Sequence, residues 1–150
     1  MSDKIQFLKQ LDVFNELSEQ ELSSVAALCK EASFKTGDII VAIKDPADNF
    51  FIIRHGNVQI ITNSDVLETK PELIDALMVS LGKGQTFGEM GLVDRGARSA
   101  TVRAGSDTDV YVVDCDEFLK LCYENTHLGF LVMRNIAADL SFKLRYRNLI

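Results

Sequence analysis

The sequence predicts a mainly β domain flanked by helices, with about eight strands arranged as a sandwich or jelly roll. Between Ser33 and Asp114, short apolar runs alternate with Gly, Pro, Asn and Asp, which is typical of short strands joined by turns. On either side of this region, apolar residues recur at helical spacing instead. The chain has 150 residues, of which 47% are hydrophobic and 25% charged, so a single globular domain over residues 1–150 is expected.

The lead-in over residues 1–32 is predicted to be helical. Ser18 followed by Glu21 is a capping-box pattern, so we expect a helix from about Glu19 to Lys30. The apolar stripe of this helix consists of Leu22, Val25, Ala26 and Cys29.

The β region is predicted over residues 33–114. Gly56-Asn57 lies between two apolar runs and is typical of a tight hairpin turn. The polar segment from Asn63 to Glu72 contains Pro71 and predicts an exposed loop.

Two helices are predicted over residues 115–150, the first capped by Asp114 or Asp116 and the second by Asn125 or Thr126. The apolar stripe of the second helix consists of Phe130, Met133, Ile136, Ala137, Leu140 and Leu144. Because this stripe is longer than the covering of a barrel requires, we expect the helix to act as a movable lid or as the contact of a homodimer.

Charge and hydropathy exclude two classes of partner. The net charge of −6 argues against a nucleic-acid surface, because phosphate backbones are held by clustered Lys and Arg. No apolar run reaches membrane-spanning length, and the N-terminus has no signal-peptide pattern. The sequence therefore predicts a cytoplasmic protein with no nucleic-acid or membrane partner.

The sequence offers no enzymatic constellation. His55 and His127 are too few to build the metal site that a cupin enzyme needs, and there is no G-x-S-x-G nucleophile elbow and no phosphate loop of the Walker kind. Cys29, Cys115 and Cys122 form no C-x-x-C pair and are odd in number, so neither a disulfide framework nor a zinc site is indicated. We expect no catalytic residue, no metal and no cofactor.

The stretch Phe87–Ala104, FGEMGLVDRGARSATVRA, places a carboxylate and a guanidinium nine positions apart around a glycine-rich turn. Gly88 and Gly91 are interpreted as letting the backbone approach a ligand. Glu89 can accept hydrogen bonds from a diol, and Arg98 offers a fork of donors for phosphate oxygens. The pattern therefore predicts a site for a small anion that also carries sugar hydroxyls.

Other residues of the stretch complete this interpretation. Ser99 and Ala100 offer a hydroxyl and two backbone N–H groups for an oxyanion. A short helical turn is predicted over Glu89–Val93, and its N-terminus favours a phosphate. Phe87 and Met90 are predicted to be core residues. The alternative is that Glu89 and Arg98 form a surface ion pair without function.

The stretch resembles the phosphate-binding cassette of cyclic nucleotide-binding domains. Phe34–Ile40 resembles the first strand and turn of that family, Asp48–Val58 its central hairpin, and Phe14–Leu22 its helical lead-in. The resemblance runs from about Leu8 to the end of the chain. It implies an eight-stranded jelly-roll barrel, a double-stranded β-helix, with helices before it and a C-terminal lid or dimerisation helix after it.

The resemblance also implies a ligand and a role for each cassette residue. Arg98 would pair with the cyclic phosphate of cyclic AMP or cyclic GMP, and Glu89 would hold the ribose 2′-hydroxyl. Backbone N–H groups near Gly88, Ser99 and Ala100 would complete the cradle, with Phe87, Met90 and Gly91 forming the rest of the turn. The lid over the base would consist of Leu140, Lys143 and Leu144.

The function that the resemblance implies is a regulatory sensor that passes ligand occupancy to a protein effector through its last helix. Three alternatives stay open. The same fold could serve as a ligand-free interaction or dimerisation module, or the chain could be the sensory part of a longer regulator or kinase. A cupin-type enzyme is the third.

Three positions depart from the pattern of the family. Lys44 stands where members usually have a turn glycine. Gly91 and Ser99 stand where kinase-type members usually have Ala, and this choice resembles the bacterial catabolite-activator branch. That branch carries a helix-turn-helix domain after its long helix, whereas this sequence ends at Ile150, so we expect no DNA-binding half.

Overall fold

The structure is a computed structural model, and it describes residues 2–42, 44–61, 78–94, 96 and 100–146. By their internal contacts the described residues form two compact units. The β unit is Lys30–Cys115. The helical unit combines the N-terminal segment that ends at Cys29 with the C-terminal segment that begins at Asp116. The organisation as a single domain stays a prediction.

In the described part of the β unit, eight strands form two antiparallel four-stranded sheets, which confirms the predicted fold class. The strand order is β1-β8-β3-β6 in one sheet and β2-β7-β4-β5 in the other. The strands are β1 (Lys30–Phe34), β2 (Ile39–Val41), β3 (Asn49–His55), β4 (Asn57–Ile61), β5 (Met78–Gly82), β6 (Thr86–Phe87), β7 (Thr101–Ala104) and β8 (Thr108–Asp114).

Alternate residues of the strands face the space between the sheets, because successive side chains of a strand point to opposite sides. Six side chains form the buried cluster there, and the two phenylalanine rings among them stack with centroids 4.7 Å apart. The cluster consists of Phe51, Ile53, Val58, Phe87, Val102 and Val110.

The local predictions for the β unit have three outcomes. A tight turn is present at Gly56, which alone separates β3 from β4 and has φ 86°, but the predicted hairpin is wrong. β3 pairs with β8 and β6 in one sheet and β4 with β5 and β7 in the other, so the turn carries the chain from one sheet to the next. The first strand starts at Lys30 rather than at residue 33. The prediction missed its first residues because they are polar and exposed and so form no apolar run. The predicted loop from Asn63 to Glu72 lies outside the described residues.

The helical unit contains four α-helices and one 3₁₀ turn among its described residues. They are α1 (Asp3–Lys9), the 3₁₀ turn Asp12–Phe14, α2 (Glu19–Leu28), α3 (Cys115–Glu124) and α4 (Thr126–Tyr146). The capping box is confirmed at the start of α2, and all four predicted apolar residues of that segment are buried. The helix ends at Leu28 rather than Lys30, because Lys30 pairs with Val112 in the β ladder.

The first half of α4 packs against the N-terminal segment. The Asn135 side-chain amide donates to the carbonyls of Val13 and Asn15, at 3.1 and 3.0 Å, and Arg134 pairs with Glu16. Gly129 faces the backbone of Cys122, whose carbonyl would lie 2.7 Å from a Cβ at that position. Helix α4 is therefore fixed by its residues up to Ile136.

The predicted apolar stripe of α4 is not the face of the helix that is buried. Of its six residues only Ile136 is buried, whereas Phe130 is 64% exposed and Leu140 and Leu144 are exposed. The helix has a second apolar face, and the contacts of Gly129 and Asn135 select that one for burial. The buried residues are Leu128, Gly129, Leu131, Val132 and Ile136.

The three cysteines are free, with Cys29 and Cys115 buried and Cys122 half-buried. Burial raises the pKa of the Cys29 thiol to about 11, and Lys4 lowers it by less. None of the helices in the described ranges combines the length and the hydropathy that crossing a membrane requires.

Candidate functional site

The cassette turn begins at a left-handed residue. Gly88 has φ 83° and follows β6 directly, and the 3₁₀ turn Glu89–Leu92 starts at the next residue. A residue with a Cβ adopts this conformation only at a cost, so glycine is favoured here. Glu89 is half-buried and one of its carboxylate oxygens, Oε2, is enclosed by the protein. The predicted helical turn is confirmed, and Glu89 occupies its first position.

The two residues predicted to be core differ in outcome. Phe87 is buried and stacks on Phe51 of β3, as predicted. Met90 is 41% exposed, so its assignment to the core is wrong. In the short 3₁₀ turn, Gly91 and Leu92 are the buried residues, and the Met90 side chain is exposed to solvent.

Gly91 is required by packing within the β unit. A Cβ at Gly91 would lie 2.9 Å from the carbonyl oxygen of Ala47 and 3.3 Å from Sγ of Cys115. Both neighbours belong to the β unit and both are buried. This steric reason for the glycine was not predicted, and a contact of the Gly91 backbone with a ligand stays a prediction.

The loop between β2 and β3 contacts the cassette turn through Ala47, and hydrogen bonds hold its described residues. The Ala42 N–H donates to Oδ2 of Asp45 at 2.9 Å, and Lys44 adopts φ 74°, in the left-handed region. At its far end, the carbonyl of Asp48 accepts a hydrogen bond from the Cys115 N–H at 2.8 Å. Lys44 thus adopts the backbone conformation that the expected glycine would have.

The second half of the cassette is only partly described. Ala100 is half-buried and directly precedes β7. Arg98 and Ser99 lie outside the described residues, so the proximity of Glu89 and Arg98 stays a prediction.

Val79 of β5 is an apolar residue that stays exposed although it faces the buried cluster. Ile60 of β4 pairs with Val102 of β7 on one side and with Val79 on the other. Directly opposed residues in antiparallel strands face the same side, and Ile60 packs on the buried cluster, so Val79 also faces inward. Val79 is nevertheless 42% exposed, which the sequence did not reveal.

The residues predicted to form the lid lie on α4. Leu140, Lys143 and Leu144 are all exposed, and Nζ of Lys143 pairs with Asp139 at 2.9 Å. Their role as a lid stays a prediction. Across the described ranges, His, Cys, Asp and Glu side chains form no group of three that could hold a metal ion.

Comparison with known proteins identifies the fold and the family. The sequence profile of the cyclic nucleotide-binding domain matches residues 31–125. Among solved structures, a cyclic nucleotide-binding domain from Methylobacillus flagellatus has a TM-score of 0.75 and 21% identity, covering 95% of this chain and 77% of that one. At this identity, the structural match supports the fold alone.

Two curated relatives are regulatory or kinase proteins. The chain is 31% identical over 121 residues to a cGMP-dependent protein kinase of Eimeria tenella, a match that covers 80% of this chain and 11% of the kinase. It is 28% identical over 144 residues to a cAMP-dependent protein kinase regulatory subunit of Debaryomyces hansenii, covering 93% of this chain and 29% of that subunit. The chain thus spans less than a third of either relative.

The profile match contains the whole cassette, from Phe87 to Ala104, and both sheets agree with the fold of the family. The chain belongs to the cyclic nucleotide-binding domain family.

Proposed function

We propose that this chain is a regulatory sensor that binds cyclic AMP or cyclic GMP at the cassette over residues 87–104. The observation that carries the proposal is the geometry of the cassette turn. The left-handed Gly88 places Glu89 at the first position of a turn that is buried against Ala47 and Cys115, so its carboxylate is held by a rigid backbone. A preorganised acceptor of this kind suits the hydroxyl group of a ribose.

The remaining parts of the ligand have matching groups in the proposal. Arg98 pairs with the cyclic phosphate, and backbone N–H groups near Gly88, Ser99 and Ala100 complete the cradle. The base packs on the exposed side chain of Val79, which lies in the same cross-strand row as Ile60 and as Val102 of the cassette. Helix α4 then passes occupancy to a protein effector.

A calorimetric titration with cyclic AMP, cyclic GMP and AMP tests this function. We expect one-site binding of a cyclic nucleotide and no comparable binding of AMP, which lacks the cyclic phosphate. Arg98→Ala should weaken binding by about thirty-fold to several thousand-fold, because the phosphate charge loses its partner.

Arg103→Ala is the matched control for that titration. Arg103 lies five positions further along the chain, and its guanidinium donates to Oε1 of Gln59 at 2.6 and 2.9 Å. The Arg103→Ala variant removes the same charge. Although Arg103 lies within residues 87–104, its side chain is on the opposite side of β7 from Val102, which belongs to the buried cluster, so nucleotide affinity should be unchanged. Equal binding by wild type and Arg98→Ala would overturn the assignment.

A second candidate function, a dimerisation module, is favoured by one observation on α4. Apolar residues alternate at spacings of three and four along a face that is not the buried one, which is the pattern of a coiled-coil contact. We call this face the exposed seam; it consists of Phe130, Met133, Ala137, Leu140 and Leu144, of which Met133 is half-buried.

Sedimentation velocity separates the two functions. If the seam joins two copies, wild type sediments as a dimer and Leu140→Glu as a monomer, while Ala138→Glu stays dimeric because Ala138 is exposed beside the seam. A dimer that binds no nucleotide in the titration would favour the module over the sensor. A monomer at all concentrations would remove the second candidate.

A further inference from the structure

One buried carboxylate joins the two ends of the chain within the helical unit. Glu21 is 7% exposed and has two sets of partners. Its Oε1 accepts from the Ser18 N–H at 3.0 Å, while Ser18 Oγ accepts from the Glu21 N–H at 3.2 Å. Its Oε2 accepts from Nδ2 of Asn125 at 3.1 Å and lies 2.8 Å from Nδ1 of His127. We call these four residues the Glu21 junction.

The junction acts on the first turn of two helices. Ser18 and Glu21 form the capping box of α2. Asn125 caps α4, because its Oδ1 accepts from the Leu128 N–H at 3.1 Å, and its Nδ2 is oriented by Glu21. The same carboxylate therefore caps α2 directly and α4 through Asn125.

The carboxylate is held in its charged form. Burial raises the pKa of Glu21, but hydrogen bonds from Ser18 and His127, with the charge of His127, lower it by more, and the net pKa is below its ordinary value. A buried charge of this kind is tolerated only while its donors stay in place. Loss of the Asn125 or His127 contact would therefore be felt at both helices.

His127 differs from the other partners in being exposed to solvent, with 69% of its side chain accessible. Histidine ordinarily changes charge near neutral pH, whereas the contacts of Ser18 and Asn125 do not. When the imidazole is protonated, a positive charge lies beside the carboxylate and the hydrogen bond becomes charge-assisted.

Several charged side chains on the surrounding elements have partners of their own. Lys120 pairs with Glu124 on α3 at 3.9 Å, Arg134 of α4 pairs with Glu16, and Lys4 of α1 donates to the carbonyl of Cys29 at 2.9 Å. Glu19 is the other acidic residue of α2 and is exposed.

We propose that the Glu21 junction fastens the first turn of α4 to that of α2, and that protonation of His127 strengthens this attachment. The first turn of α4 is then more firmly held below neutral pH than above it. Because Phe130, the first residue of the exposed seam, directly follows that turn, pH also affects how firmly the start of the seam is held.

Amide hydrogen exchange of the whole chain tests the proposal. Protection factors, corrected for the intrinsic pH dependence of exchange, are compared at about pH 6 and about pH 8. In wild type we expect the first hydrogen-bonded amides of α4, from Leu128 to Leu131, to be protected about two- to fivefold more at the lower pH, the range of an exposed ion pair. Protection of β8 should not change with pH.

Two variants separate the effect of the His127 charge from the structural role of Glu21. His127→Gln keeps a donor on an exposed residue, so it should fold normally and lose the pH dependence. Glu21→Gln keeps the shape of the side chain and should lower protection in the first turns of both α2 and α4. A pH dependence that persists in His127→Gln would overturn the proposal, and so would unchanged α4 protection in a folded Glu21→Gln.

Discussion

The carbonyl oxygen of Ala47 occupies the position next to Gly91 where a side chain would be. A Cβ built on Gly91 would lie 2.9 Å from that oxygen, closer than real Cβ contacts come, and the obstacle is backbone rather than a movable side chain. The cassette turn is therefore seated directly on the loop that ends at Asp48. The position of Glu89, two residues earlier, depends on that seating.

Gly91→Ala should lower the free energy of unfolding by about 1–3 kcal/mol, because either the turn or the Ala47 backbone must move. Nucleotide affinity should fall as well, since Glu89 moves with the turn. Urea denaturation checks the first effect. Gly82→Ala is the control, because a Cβ there meets its nearest neighbour at 3.9 Å. Equal stability of the two variants would contradict the steric account.

Lys44→Gly should stabilise the protein by about 0.5–1 kcal/mol. Lys44 adopts φ 74°, which costs about 1–2 kcal/mol for a residue with a Cβ, and part of the gain is offset by the greater freedom of glycine in the unfolded chain. Thermal unfolding measures the change. Glu16→Gly provides a contrast: Glu16 has φ 73° but also pairs with Arg134, so its replacement should gain less. A destabilised Lys44→Gly would count against the conformation described.

Phe87→Leu should destabilise the protein by about 1–2 kcal/mol, through loss of the ring stacking on Phe51 and of packing in the buried cluster. The ring is followed directly by Gly88 and Glu89, so affinity for nucleotide should also fall. Denaturation and titration check the two effects. Phe142→Leu makes the same change at an exposed ring on α4 and should cost under about 0.5 kcal/mol. Comparable losses from both variants would show that the stack is unimportant.

The contribution of Glu21 to stability should vanish in acid. Its pKa in the folded state lies below the ordinary value of 4.5, despite the opposing effect of burial, because of the bonds to Ser18 and His127. The stabilisation is thus fully present above pH 4.5 and is lost as the pH falls through the lowered value. Urea denaturation should show a difference between wild type and Glu21→Gln that shrinks with falling pH. Glu19→Gln, at an exposed site, should show little difference, and a Glu21→Gln effect independent of pH would refute the assignment.

Local patterns accounted for much of the fold. The apolar runs between turn residues predicted the strands, and Ser18 with Glu21 predicted the start of α2, because each depends on residues close together in the chain. The short helical turn at Glu89 was predicted from the motif in the same way, whereas the left-handed conformation of Gly88 was not predicted. Such features are set by backbone preferences that act over a few residues.

The features that the sequence did not reveal depend on tertiary contacts. Helix α4 has apolar residues on two faces, and only the contacts of Gly129 and Asn135 decide which is buried. Nothing in the local sequence indicated that Ala47 would lie against Gly91 or that Glu21 would reach Asn125, 104 positions away. Met90 was misplaced for the same reason, since a 3₁₀ turn of four residues has no periodic pattern from which its buried side could be inferred.

The most direct test of the proposed site compares cyclic AMP with 2′-deoxy cyclic AMP on wild type and Glu89→Gln by calorimetry. If Glu89 holds the 2′-hydroxyl, wild type loses affinity for the deoxy ligand by about tenfold or more, the worth of a charged hydrogen bond. Glu89→Gln should then bind both ligands with nearly the same reduced affinity. Equal discrimination by wild type and Glu89→Gln would contradict the account, because the 2′-hydroxyl would then be recognised elsewhere.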